Sequence, residues 1–399
     1  MKKILHIIPH FGGGVGKSLS SLLDKKNISK NDHYLYFLEE PIEKKYLKNI
    51  DKEKIIDTLR TSLKDLIESF DIIQVEFWNH PKLIEFLVNL SPIRARFLIW
   101  SHISNNSYLK NNYYSKNSSL FFVNSSNLQR EDESCNFFNI SSGFCDGLDD
   151  MDYYPWAKRK NFFYAGALDY RKIDKSISPI IKHIIKKNNT FDLYGDGKDK
   201  SKILKLIDNN SCEFSYHGHV DNLYEKMKKY KFLIYPLNID NYATGENVLI
   251  ESMALGCIPL VFDNKLERSI IPNINQDLFA KDLNSFFDNI DKATKHDYEK
   301  YSLLLRKKIL NNNLSKTAYD KFDNLYSKIM FNKKIEIDFT HFFGKSPLDW
   351  YLKTNTLSHH NFYGSKGDLL HFFKYFNYDD DLNKMYKKEF KKFEVLNES

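Results

Sequence analysis

Short apolar runs recur along this chain at intervals that leave room for one helix between each pair, and no other feature restricts its fold as much. Residues 3–8, KILHII, end in Pro9 and a glycine cluster, after which Leu19, Leu22 and Leu23 return at helical spacing. Similar runs follow at Tyr34–Leu38, Ile72–Val75, Phe97–Trp100 and Leu120–Val123, with helical candidates at Leu59–Phe70 and Pro81–Leu90 between them. A strand that is apolar throughout needs cover on both faces, and a parallel sheet with crossover helices supplies it. A second set begins at Asn161: Phe162–Tyr164, Thr190–Tyr194, Cys212–Tyr216, Phe232–Tyr235 and Ile258–Phe262 read as strands. Ser178–Lys187, Ser201–Asp208 and Leu223–Lys229 read as their helices. The pattern predicts two doubly wound α/β domains, at 1–145 and 161–313. Between them 146–160 has the acidic, then basic texture of a linker, 314–330 is expected as a helix crossing back to the first domain, and 331–399 is an aromatic-rich helical extension.

The 399 residues suffice for two cores, and 42% hydrophobic content with 15% aromatics gives them ample apolar surface. The excess of Lys, Asn and Ile follows AT-rich coding and carries little chemistry. Net charge is +7, but residues 1–160 hold 22 basic and 20 acidic groups and residues 331–399 hold 11 and 10. A nucleic-acid binder concentrates its cations, so no nucleic-acid partner is expected; a weak peripheral contact with an anionic membrane face stays open beside a plain solvated surface. Cys135, Cys145, Cys212 and Cys257 lack any CxxC spacing, which points to neither a zinc site nor a disulfide framework. The opening MKKILHIIPHFGGG is too short an apolar run for a signal or a membrane span, and a cytoplasmic location is expected.

The densest chemistry lies in TGENVLIESMALGCIPL, residues 244–260. Thr244 can cap a helix with Glu246 in its first turn, Val248–Leu255 supply the apolar stripe, and Gly256 and Pro259 stop it before a strand. A helix start offers free N–H groups and the positive end of a dipole, which suit a diphosphate. Glu251, about two turns on, can accept two hydrogen bonds from vicinal hydroxyls such as those of a ribose. Its bland alternative is a half-exposed helix acid, and that of Glu246 is an acid favoured in a first helical turn.

This segment resembles the nucleotide-sugar signature of the retaining glycosyltransferases of family 4, in which a Gly-Asn-Val-Leu-Ile-Glu-Ser-Met-Ala run precedes Gly and Pro. The two-domain layout resembles the GT-B fold, two Rossmann-like domains facing a cleft, with the acceptor on the first and the donor on the second. The resemblance covers about residues 1–330. It implies Thr244, Gly245, Asn247, Val248 and Glu251 at the donor, with Glu251 on the ribose. The family's first acid, eight positions before the second, falls on Ala243, and Glu246 is the nearest replacement.

Further positions follow from the same resemblance. Gly13 and Gly14 match a glycine pair that lets the backbone approach the donor, although a tight strand-to-helix turn explains them too. The Gly12–Ser18 stretch misses a phosphate-binding P-loop by one residue, because Phe11 stands where the first glycine is needed. His102, which closes the run FLIWSH (97–102) just after an apolar strand, matches a histidine that touches the donor sugar; the acid that often follows it is replaced by Ile103. In Ala165–Lys172 the family's arginine falls on Ala167 and its lysine on Lys172, so Arg171 is expected to supply the lost guanidinium. Two cations there would stabilise a departing diphosphate without a metal, against the plainer reading of a solvated basic loop. Gly166, the Gly195-Asp196-Gly197 turn and His217-Gly218 would shape the wall against the base.

The aromatic C-terminal stretch, including Phe339, Phe343, Trp350, Tyr351, Phe372 and Phe376, reads as a helical appendage with its own core or a cover for the first domain rather than a sugar grip. His341, His359, His360 and His371 lack metal-ligand spacing. The resulting expectation is a Leloir-type glycosyltransferase that moves a hexosyl or related sugar with retention from a UDP- or GDP-linked donor, with no other cofactor, to a glycan or lipid-linked glycan in capsule or lipopolysaccharide synthesis. The alternative is a noncatalytic GT-B subunit that binds nucleotide sugar or glycan within an assembly complex.

Overall fold

The computed structural model describes the chain apart from residues 25–29, 43, 49, 57–62, 104–119, 127–131, 133–135, 208–211, 240–244, 273–277, 355–361 and 399. Thr244, Ala243, Cys135, His359 and His360 therefore lie outside the described residues. The chain divides into two compact units: Met1–Ser125 with Gln129–Ile140 and Tyr319–Ser399, and Ser141–Ala318 with Ser126–Leu128. The 146–160 segment belongs to the second unit and the C-terminal extension to the first. The division falls inside helix Ser315–Met330.

The first unit holds β1 (Lys3–Ile8), β2 (Asp32–Phe37), β3 (Ile72–Phe77), β4 (Ile93–Ala95), β5 (Phe97–Ser101), β6 (Leu120–Asn124) and β7 (Phe137–Asn139). Six of them form one parallel sheet in the order β2-β1-β3-β5-β6-β7. Every residue of β3, β5 and β6 is buried, as cover on both faces requires. Helices Gly13–Leu22, Leu63–Ser69 and Pro81–Asn89 serve as crossovers, burying Leu19 and Leu22, Ile67, and Leu83, Ile84 and Leu87 respectively. The expected helix at Leu59–Phe70 is seen from Leu63 onward, its first residues lying outside the described ones.

The second unit holds β8 (Lys160–Ala165), β9 (Phe191–Tyr194), β10 (Phe214–Gly218), β11 (Tyr230–Ile234), β12 (Ile258–Phe262) and β13 (Phe279–Ala280). They form a parallel sheet in the order β10-β9-β8-β11-β12-β13. Strand order reverses between β8 and β11 here, and between β1 and β3 in the first sheet. Crevices outside the carboxyl ends of strands at such reversals are where doubly wound sheets bind ligands.

In the extension β14 (Ile335–Ile337) pairs antiparallel with β4. Helices Thr340–Phe343, Pro347–Thr354, Leu369–Phe376 and Asp380–Glu398 follow. Phe339 sits 5.2 Å from Phe97 and Phe343 6.1 Å from Phe77, while Trp350 packs on Phe376 and Tyr351 on Phe372. The aromatics thus both build a core of their own and cover the first sheet. No described helix is long and apolar enough to cross a membrane.

Candidate functional site

The carboxyl ends of β8, β9 and β10 carry Gly166, Gly195 and Gly218 with φ of +147°, +121° and +64°. These loops run backbone against backbone: a Cβ on Gly195 would stand 1.9 Å from the Gly166 carbonyl oxygen, and one on Gly197 2.3 Å from that of Leu168. Gly166 N–H donates to the Tyr194 carbonyl at 3.2 Å and Gly195 N–H to the Gly218 carbonyl at 2.7 Å. Glycine is therefore required both for the dihedral and for the approach. The loops enclose a cavity of about 300 Å³, lined by Gly166, Ala167, Gly195, Gly218 and Val248 among others. That is enough for a small ligand group. His217 points elsewhere, bonding Asp192 through Nε2 at 2.5 Å and stacking on Tyr194 at 4.6 Å.

Helix Asn247–Ala254 starts at this cavity through Val248. Glu246 occupies its cap position rather than the first turn, with no capping bond from its side chain. The side chain is spent elsewhere. Tyr235, following β11, donates its hydroxyl to Glu246 Oε2 at 2.5 Å, and Lys172 Nζ stands 2.9 Å from the same oxygen. Burial first, then the Glu246 charge, push the Tyr235 phenol well above its usual value, so it acts as donor. Lys172, one-fifth exposed, is thus half of an ion pair whose acid is almost fully buried. This cluster joins the loops after β8 and β11, at the strand reversal.

Arg171 is turned back on the acid two residues before it. Its Nη2 meets Asp169 Oδ2 at 2.5 Å, its backbone N–H donates to Asp169 Oδ1 at 2.9 Å, and both side chains are nearly buried. The two cations expected side by side are each matched to a carboxylate.

Glu251 lies a turn into the helix and is 3% exposed. The helix ends through Gly256, φ +83°, with Cys257 N–H on Ser252 O and Gly256 N–H on Met253 O, a Schellman closure. Its start is held by the 141–143 segment: a Cβ on Gly245 would stand 2.5 Å from Ser142 Oγ, and one on Gly143 2.2 Å from Ile250 Cδ1. Asn247 lies against the same segment, its Oδ1 at 3.6 Å from that position of Gly143.

In the first unit Gly13 and Gly14 open helix Gly13–Leu22, Gly13 with φ +58° and free space about its Cβ position. His102 follows β5 at the carboxyl edge of the sheet, and its ring is turned inward. Its Nε2 lies 2.8 Å from Glu76 Oε2 on β3, and its side chain is 4% exposed. Glu76 Oε1 meets His6 Nδ1 at 2.9 Å and Gln74 Nε2 at 2.8 Å. Burial alone would raise the Glu76 carboxyl, but hydrogen bonds from His102 and His6 outweigh it and hold it below its ordinary range.

Sequence reasoning missed Tyr235, Asp169 and Glu76. Glu76 left a trace: in IIQVEF, residues 72–77, Gln74 and Glu76 are the polar pair at period two in an otherwise apolar strand. Asp169 stood two residues before Arg171, the spacing of a local carboxylate-to-backbone turn. Tyr235 carried no signal, because its partner comes from the following loop.

Residues 159–296 match the family model for glycosyl transferases group 1. The matched residues lie within the second unit. A search of curated proteins returns no match. Among solved structures, a glycosyltransferase from Rickettsia africae aligns with TM-score 0.62 at 15% identity, over 83% of this chain and 99% of that one. HepE from Anabaena, in complex with UDP and glucose, aligns with TM-score 0.59 at 13% identity, over 82% and 100%. The pneumococcal O-GlcNAc transferase GtfA, in complex with UDP and GlcNAc, aligns with TM-score 0.50 at 15% identity, over 65% and 57%. The fold is GT-B, and the residues that match the family model lie in its second half.

Proposed function

We propose that this chain is a retaining glycosyltransferase that takes a hexosyl or related sugar from a UDP- or GDP-linked donor to a glycan or lipid-linked glycan. Bacterial capsule or lipopolysaccharide synthesis is the setting that fits, at the cytoplasmic face of the membrane. One observation carries the reading: inside the matched domain, glycine turns from three strands and the helix start at Val248 enclose a cavity. HepE and GtfA, of the same fold, bind UDP with glucose or GlcNAc.

In this reading the diphosphate lies by the start of helix Asn247–Ala254, whose free N–H groups face negative charge. Glu251 takes the ribose hydroxyls. Lys172 shares its ammonium between Glu246 and the leaving phosphate, and charge building there as the glycosidic bond breaks strengthens that contact in the transition state. The acceptor hydroxyl attacks from the face the phosphate leaves, and the phosphate takes its proton, so no metal is required. Glu246, held by Tyr235 and Lys172, stands in for the acid absent at Ala243.

A noncatalytic subunit is the second reading, favoured by the Arg171–Asp169 pair, which withdraws one expected cation from the site. Thermal-shift screening with UDP, GDP, CMP and dTDP, followed by turnover of the matching nucleotide sugars, separates the two. Stabilisation by UDP or GDP with turnover lost in Glu251→Ala supports the transferase. Stabilisation without turnover supports the subunit, and no response to any nucleotide rejects the pocket.

A further inference from the structure

The C-terminal helix Asp380–Glu398 divides its residues between two faces. Leu382 is fully buried, Tyr386 stacks on Phe373 with ring centres 4.0 Å apart, and Phe390 lies 5.6 Å from Phe362, so one side belongs to the core of the extension. The other side is lysine. Lys384, Lys387, Lys388, Lys391 and Lys392 follow one another at helical spacing, which places them on one face, and all five are exposed. From first to last that face runs about 12 Å along the axis.

The near-even count of acids and bases in residues 331–399 conceals this segregation. Between residues 384 and 392 the chain has five lysines and one acid, Glu389. Asp380 and Asp381 stand in the first turn, where they meet the positive end of the helix dipole. Two of the lysines make exposed ion pairs: Lys384 Nζ lies 3.1 Å from Asp381 Oδ1, and Lys392 Nζ lies 2.7 Å from Glu389 Oε1. Lys387, Lys388 and Lys391 meet no carboxylate among the described residues, and the side chains of Glu394 and Glu398 lie outside these. Like charges four positions apart on a helix repel, and Lys384–Lys388, Lys387–Lys391 and Lys388–Lys392 are three such pairs. A face that repels itself gains by meeting negative charge.

The make-up of the face selects the partner. It consists of ammonium groups alone, with no aromatic ring, arginine or amide on which a nucleobase could stack or pair. The outward side of a helix is convex, so it does not enclose a small anion or an extended acidic peptide. Five cations spread over two to three turns match phosphates spread over a plane. The rings of the helix are already turned inward, so contact with such a plane is Coulombic and without insertion.

We propose that the outer face of helix Asp380–Glu398 docks this protein on an anionic phospholipid surface through Lys384, Lys387, Lys388, Lys391 and Lys392. Docking of this kind is reversible and falls away as salt shortens the screening length from about 10 Å at 0.1 M to about 3 Å at 1 M. It would bring the chain to the surface that carries a lipid-linked acceptor, and that consequence alone rests on the transferase reading.

Co-sedimentation of the full-length protein with vesicles of phosphatidylcholine, or with phosphatidylglycerol replacing about a third of that lipid, tests the proposal. The wild type should bind the anionic vesicles at about 0.1 M salt, leave them at about 1 M, and ignore the neutral ones. Near such a surface each lysine contributes about five-fold to partition, so the triple variant Lys387→Gln, Lys388→Gln, Lys391→Gln should bind about 100-fold less tightly. Its melting temperature should be unchanged or raised, because like-charge pairs are removed. A second triple variant, Lys300→Gln, Lys307→Gln, Lys308→Gln, takes the same charge from exposed positions of helix Glu299–Asn312 in the second unit and should bind as the wild type does. No binding of the wild type to anionic vesicles, retention at about 1 M salt, or an equal loss in both triple variants overturns the proposal. Tighter capture by a single-stranded oligonucleotide than by the vesicles overturns it too. Vesicle binding without sugar transfer leaves the docking face standing and removes the transferase reading, and transfer without vesicle binding does the reverse.

Discussion

Replacing Gly195 by alanine should damage the second unit far more than the same change at Gly13, although both glycines have positive φ. At Gly13, φ +58° falls in the left-handed region and nothing lies within 4 Å of the added methyl. The cost is the local backbone term alone, roughly 1–2 kcal/mol, offset in part by reduced freedom of the unfolded chain. At Gly195, φ +121° lies outside the left-handed well, and the Cβ would stand 1.9 Å from the Gly166 carbonyl oxygen. Strain of about 1–3 kcal/mol adds to a similar overpacking cost, because a backbone carbonyl must move by more than 1 Å. The total is about 2–6 kcal/mol. Separating the loops also opens the cavity wall, so under the proposed function stabilisation by UDP should fall together with stability. Thermal and urea unfolding of both variants, with and without UDP, measure the two effects. Equal midpoints for Gly195→Ala and Gly13→Ala, with nucleotide response intact, would refute the close-approach argument.

Two further predictions concern pH. Burial pushes the Glu267 carboxyl up to about 8, with Asn264 on Oε1 and no described partner on Oε2. Its folded value is raised, so the second unit loses stability as pH climbs from the ordinary carboxyl range through about 8, by an amount on the order of 5 kcal/mol. Glu267→Gln should flatten that slope in urea unfolding between pH 5 and 8, and an unchanged slope would reject it. The reverse sign holds in the first unit, where burial and then neighbouring His371 and His10 push His80 down to about 2, and burial lowers His10 to about 4. These rings stay neutral while the unfolded chain takes up protons below the ordinary imidazole value, so stability falls as pH drops from 6.5. His80→Phe should make the first unit less sensitive to acid over pH 6.5–4.5; an equally steep loss would contradict it.

Much of this architecture was legible because both sheets are parallel and buried, which writes each strand as an apolar run. Ile258–Phe262 was predicted with the bounds observed, and β11 was displaced by a residue or two. β7 and β13 are three and two residues long, too short for any period to register. The glycine turns at Gly166, Gly195 and Gly218 were readable because a strand end followed by glycine has few uses. Side-chain pairings were not. Lys172 and Glu246 are 74 positions apart and meet only through the strand order β8-β11, while His6 and Glu76 meet through β1-β3. A cation in a loop looks free in sequence. Folding matched Arg171 to Asp169 and Lys172 to Glu246, where burying either charge alone would have been costly.

The account depends on the cavity at Gly166, Gly195, Gly218 and Val248 being where the nucleotide binds. Calorimetric titration of UDP and GDP into the wild type and Val248→Trp tests this directly, since Val248 is partly buried at the cavity wall and a larger ring there fills the space. Binding of one nucleotide by the wild type, lost in Val248→Trp while its melting temperature without ligand is unchanged, is the predicted result. Equal affinity in both proteins, or no binding to the wild type, would contradict it.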